Sequence, residues 1–137
     1  MMYDVILRNH DGETFVGLCD NLFDAECIAP IYECDGIVTI EKAVSMSTWE
    51  GRHDIPDAVD GPIFLASDSK YITDPDMLEE EAFFKLREMQ VDRLHLYVTG
   101  LTVAVLAILN ACKDLGIVVT TWHYDREFKN YYAYPMK

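Results

Sequence analysis

The sequence predicts an α/β (α+β) fold: a single domain over residues 1–137 with a mixed sheet, about three helices, and a C-terminal βαβ unit followed by a hairpin. Three observations carry this reading. Half of the 137 residues are hydrophobic, enough for a real core in one compact domain. The chain opens on two alternating apolar runs joined by an Asp-Gly turn. Its last third reads strand, apolar helix, strand, with about 17 residues between the two strands, a length that suits a crossover between parallel strands.

In chain order, "YDVILR" and "TFVGLC" make the opening hairpin around "NHDGE". Asp20 or Asn21 caps a helix over "LFDAECIAPIYEC", with Leu22, Cys27, Ile28, Ile31 and Tyr32 on one face. Pro30 predicts a kink or an early stop, and Gly36 the exit. "IVTIEKAV" is the next strand, and residues 45–61, "SMSTWEGRHDIPDAVDG", read as an irregular loop punctuated by Gly, Pro and Asp. "PIFLAS" is a short buried strand. Asp74 then caps a helix with Pro75 at its first position. Leu78, Ala82, Leu86 and Met89 form its apolar stripe, with Phe83 beside it, while Glu80, Glu81 and Glu88 look outward. "RLHLYV", a helix from Thr102 to Leu115 closed by Gly116, and "IVVTTW" complete the βαβ unit. Thr102 is a natural cap for that helix, which is apolar on nearly every side and so should be buried broadly. A turn through Arg126 to Asn130 leads to a final strand, "YYAY".

Composition excludes several functions. No apolar run approaches the roughly 20 residues needed to span a bilayer, and the start "MMYDVILRNHDGE" has no basic segment followed by an apolar one. A cytoplasmic protein is expected. The cysteines, Cys19, Cys27, Cys34 and Cys112, form no C-x-x-C pair and match no common zinc spacing. Reduced thiols and no cofactor are therefore expected.

Charge is the most informative property. The net charge is −13; residues 1–90 hold 20 Asp/Glu against 6 Lys/Arg, whereas residues 91–137 hold 4 against 5. Direct binding to nucleic-acid phosphates needs a basic footprint, so neither nucleic acid nor an anionic membrane is an expected partner. A basic protein surface is. Residues 50–81 concentrate the acidity, with ten acids and two bases. The candidate partner-binding set is Trp49, Glu50, Asp54, Asp57, Asp60, Asp76, Glu79, Glu80, Glu81 and Phe84, with the aromatics as anchors and the carboxylates steering association. The crowded C-terminal aromatics (Trp122, Tyr124, Phe128, Tyr131, Tyr132 and Tyr134) suit cross-strand packing. They also leave an aromatic edge through which a homodimer could form.

Two other chemistries are open. The turn Thr99-Gly100-Leu101-Thr102 joins a strand to a helix N-terminus, where free N–H groups favour anions. It lacks the second glycine and the lysine of the established phosphate-binding loops. His123, Asp125 and Glu127 alternate and would share a strand face, a weak metal or acid–base set. No G-x-S-x-G or H-E-x-x-H motif is present, which leans against an enzyme.

The segments "LYVTGLTVAVLAILN" and "WHYDRE" resemble the strand–turn–helix–strand unit of small Rossmann-like CRISPR-associated proteins. The resemblance covers about a third of the chain and implies that Thr99, Gly100 and Thr102 help hold a cyclic nucleotide. In size and acidity the chain is similar to small phage-type inhibitors that block basic, nucleic-acid-handling proteins. That likeness implies a defence-related inhibitor.

Overall fold

The computed structural model describes residues 2–50, 60–65 and 73–135. The fold is α/β, with three α-helices and seven strands in mixed pairing among these residues. The chain divides into two compact units, Met1–Val44 and Ser45–Lys137.

In the first unit, β1 (Met2–Asn9) and β2 (Gly12–Cys19) form the expected antiparallel hairpin. Asn9 Oδ1 accepts the Asp11 N–H at 2.9 Å, a local turn device that sets the reversal. A bulge at Val5/Ile6 shifts the register of β2 by one residue. The first part of β3 (Ile37–Trp49) runs antiparallel along the other side of β1, from Arg8↔Ile37 to Met2↔Ala43. Arg8 ties the three strands together: Nη1 donates to Thr39 Oγ1, and Nη2 reaches Glu41 at 3.1 Å and Glu13 at 3.2 Å.

Helix α1 (Leu22–Tyr32) is capped by Asn21, whose Oδ1 accepts the Asp24 N–H at 2.9 Å. The buried stripe differs from the one the spacing suggests. Ala25 and Ala29 pack against Val5 and Cys19, with Ile28 beside them, while Leu22, Cys27 and Ile31 are exposed. Two alanines let the helix lie close to the strands, and that proximity outweighs the larger side chains. Pro30 does not stop the helix, which continues to Tyr32 and tightens into a 3-10 turn over Glu33–Asp35. Only one backbone donor is lost, and the ring sits on the exposed face. Gly36 then passes so close to the Arg8 carbonyl that any Cβ would collide with it. Gly36→Ala should therefore lower stability by about 1–3 kcal/mol, read as a fall in the urea midpoint.

In the second unit, the region expected as a loop begins as strand. Ser45–Trp49 continue β3, and all five residues are buried. β4 (Pro62–Phe64) pairs parallel to them, Ser47 with Pro62 and Trp49 with Phe64. After helix α2 (Pro75–Met89) comes β5 (Arg93–Tyr97), which neighbours β3. Helix α3 (Thr102–Leu115) crosses to β6 (Val118–Asp125), parallel to β5, and β7 (Asn130–Pro135) returns antiparallel. The anticipated βαβ unit and terminal hairpin are thus both present. Ile63, Phe64, Leu78, Ala82, Leu86, Leu94, Leu96, Ala104 and Ile108 are fully buried, and burying each of the larger ones is worth about 1.5–3 kcal/mol.

Two expectations for α3 are corrected. Its N-cap is Leu101, whose carbonyl accepts from Ala104 and Val105; Thr102 is the first helical residue and caps nothing. The helix also buries one face only: Ala104, Ala107, Ile108, Ala111 and Cys112 are inside, but Leu106 is 55% exposed. The run of apolar residues hid a buried stripe of mostly small ones, and α2 packs beside the helix. Gly116 closes the helix in the left-handed conformation, φ 72°, as expected. Among the described residues, no helix is long and apolar enough to cross a membrane.

Candidate functional site

Asp74 sets the phase of α2. Its carboxylate accepts the Met77 N–H at 3.3 Å and Pro75 occupies the first turn. Leu78, Ala82 and Leu86 then face the core. Helical spacing leaves Asp76, Glu79, Glu80, Phe83 and Phe84 on the flank. These five side chains and Asp114 of α3 line a groove of about 270 Å³. Phe83 and Phe84 meet edge to face at 6.0 Å, and Phe84 is 52% exposed. The walls carry four carboxylates and no basic side chain. Aromatic faces and carboxylates both attract cations. The groove thus joins a strongly negative wall to a partly exposed aromatic surface.

Four of the sequence-derived partner residues, Asp76, Glu79, Glu80 and Phe84, come together here. The others do not. Glu81 turns toward Lys85, 3.9 Å away, and Lys85 donates to the Ile63 carbonyl at 2.6 Å. Trp49, expected as an exposed anchor, is 5% exposed, with its ring 5.5 Å from Phe64. It belongs to the core. Glu50 is exposed, and its N–H donates to the Phe64 carbonyl. Asp60 is exposed and engages Ser45, accepting its N–H at 3.2 Å. Asp54 and Asp57 lie outside the described residues.

The sequence reading missed Phe83 as a wall residue, and it missed Asp114. A signal for Asp114 existed. It sits in the last turn of α3, where the helix dipole disfavours a negative charge.

The 99–102 turn is differently occupied. The Thr99 hydroxyl is buried, accepts the Trp49 N–H at 3.1 Å and donates to the Trp49 carbonyl at 3.2 Å. Gly100 is exposed with φ 82°, and Thr102 is exposed at the start of α3. Of the three residues, Thr99 is thus committed to its own fold.

The His123, Asp125 and Glu127 set does not share a strand face, because β6 ends at Asp125 and Glu127 lies in the turn. Asp125 Oδ1 accepts the N–H groups of Glu127 and Phe128, holding that turn. The Thr121 hydroxyl donates to the Tyr134 carbonyl, which leaves its oxygen to accept from His123 Nε2 at 2.9 Å. Among the described residues, no three His, Cys, Asp or Glu side chains are grouped to hold a metal ion.

The aromatics of the C-terminal hairpin divide between its two faces, with Tyr132 and Tyr134 beside His123 on one and Trp122, Tyr124 and Tyr131 on the other. Trp122 stacks on Tyr97 at 5.4 Å and donates to His95 Nδ1, while Tyr131 meets both Tyr97 and Tyr124 edge to face. Burial raises the pKa of Tyr97.

Fold and groove together define an α/β chain with an acidic, aromatic-floored surface site. No protein-family model matches this sequence, no curated protein matches it, and no solved structure matches its fold.

Proposed function

We propose that the chain is a non-enzymatic, acidic protein-interaction module whose groove takes a basic segment of a partner, in the manner of an inhibitor of a nucleic-acid-handling protein. The observation that carries this reading is the convergence of Asp76, Glu79, Glu80 and Asp114 around Phe83 and Phe84. Arginine or lysine side chains would pass their alkyl stems over the rings and place their charges among the carboxylates. A net charge of −13 would speed the encounter with such a surface.

The test uses a fluorescent arginine–leucine peptide as a stand-in for the partner. Binding should weaken steeply with salt, and Glu79→Lys with Glu80→Lys should weaken it tenfold or more. A control reversal, Glu26→Lys with Glu33→Lys, changes the net charge equally in the other unit and should have a small effect. Equal losses from both pairs would reduce the acidity to general solvation. Asp114→Lys should weaken binding while raising stability by about 0.3–1 kcal/mol, because it removes a charge the helix end opposes.

A second reading, a nucleotide-like ligand at residues 99–102, has one observation in its favour. The α3 N-terminus has no side-chain cap, and Gly100 and Thr102 beside it are exposed. A rise in melting temperature with cyclic or linear nucleotides, lost in Gly100→Leu, is its signature; no rise rejects it.

A further inference from the structure

We infer that the edge strand β7 is a self-pairing surface, through which two copies of this chain join their sheets about a two-fold axis at Ala133. This inference is independent of the groove.

The backbone phase comes from β6. The Trp122 carbonyl accepts the Val98 N–H, so Trp122 turns its backbone groups toward β5. Its neighbour across the hairpin is Ala133. Opposite residues in an antiparallel pair share their backbone orientation, so the N–H and C=O of Ala133 turn away from β6. Among the described residues β7 pairs with no strand other than β6.

Such edges are normally guarded by charge, bulges or proline. β2, the outer strand of the opening hairpin, carries Glu13 and pairs across a bulge. β7 has unbroken register with β6, no charged side chain, and its one proline at the last position.

Two features choose a second copy as the occupant. The first is pattern. Tyrosine flanks Ala133 on both sides, so a two-fold contact there, which sets each residue i against j and j against i, meets tyrosine with tyrosine twice. An axis at Ala133 sets Tyr132 of each copy opposite Tyr134 of the other, on one face. These rings are 51% and 62% exposed, and cross-strand aromatic pairs are favourable. His123 packs against both rings, at 5.8 and 6.3 Å.

The second feature is charge. A chain of net −13 resists its own copy over most of its surface. The hairpin 118–135 is balanced: Asp125 and Glu127 are matched by Arg126 and Lys129. Two hairpins meet there without net repulsion. The strand is short, so the dimer should be weak, with a Kd on the order of tens of micromolar.

Sedimentation equilibrium of the full chain between 1 and 500 µM should show monomer passing to dimer. Tyr132→Lys with Tyr134→Lys should raise the Kd at least tenfold, with the far-ultraviolet spectrum confirming a folded chain. In a Cys27→Ser, Cys34→Ser background, which removes the exposed thiols, Ala133→Cys should oxidise to a covalent dimer. The expected Cα separation of roughly 5.5 Å across such a pair suits a disulfide. Glu13→Cys on β2 is the control. A monomer throughout the range, a dimer indifferent to the tyrosine reversals, or crosslinking at position 133 no faster than at position 13 would each overturn the inference.

Discussion

Thr99→Val should lower the stability of the chain by about 2–5 kcal/mol, while Thr99→Ser should cost far less. Valine keeps the shape of threonine and removes only the hydroxyl. That hydroxyl both accepts the Trp49 N–H and donates to the Trp49 carbonyl, in a place where Thr99 is 1% exposed. Each buried backbone group left without its partner costs about 1–3 kcal/mol. The loss propagates through a shared arrangement: the Thr99 N–H donates to Thr48 Oγ1, and Thr48 donates to the Tyr97 carbonyl. Two threonines thus extend the join between β3 and β5 past the end of β5. Urea midpoints of the two variants measure the effect. A valine variant within 0.5 kcal/mol of the parent would assign the hydroxyl to something other than the fold and return Thr99 to the ligand reading.

The same threonines show why part of the fold was legible in sequence and part was not. Asn21, Asp74, Pro75 and Gly116 act on backbone groups within a few residues of themselves, so their roles are written locally. The second half of β3 is not. Ser45, Ser47 and Thr48 look like loop residues, yet all are buried. Their strand has no polar face to give an alternating signal. Its polar groups are met by distant chain: Ser45 by Asp60, Ser47 by Gly61, Thr48 by Tyr97 and Thr99.

The groove divides in the same way. Asp76, Glu79, Glu80 and Phe84 lie on one helix, and their spacing declares a shared flank. Asp114 joins them only because α3 packs beside α2, a fact of tertiary structure. Trp49 erred in the opposite direction. A tryptophan in an apparent loop suggests an anchor, but the loop was a core strand.

Stability should fall as pH rises from about 9 toward 12, and much of that fall should be traceable to Cys112. Burial on the inner face of α3 pushes this thiol up to about 12 from its ordinary value of 9.0. The folded state therefore holds the neutral thiol where the unfolded chain would release its proton. This contribution is complete below pH 9 and is lost as the pH climbs through the folded value, because ionisation then favours the unfolded chain. At about 1.4 kcal/mol per pH unit, the loss approaches roughly 3 kcal/mol by pH 11. Tyr97, also raised by burial, adds to it above pH 10. Cys19 works in the same sense, through burial first and then the nearby carboxylates of Asp24, Asp20 and Asp4.

Cys112→Ala separates the Cys112 contribution. Its absolute stability falls through lost packing, but its urea midpoint should decline more gently between pH 9 and 11 than that of the parent. Parallel curves would deny the thiol its role. Thiol reagents give an independent check at pH 8: Cys27 and Cys34, both exposed, should react at once, and Cys112 only when the chain unfolds. Because α3 packs beside α2, which supplies most of the groove, rapid labelling of Cys112 in the folded chain would mean that the packing behind the acidic site opens on the same timescale.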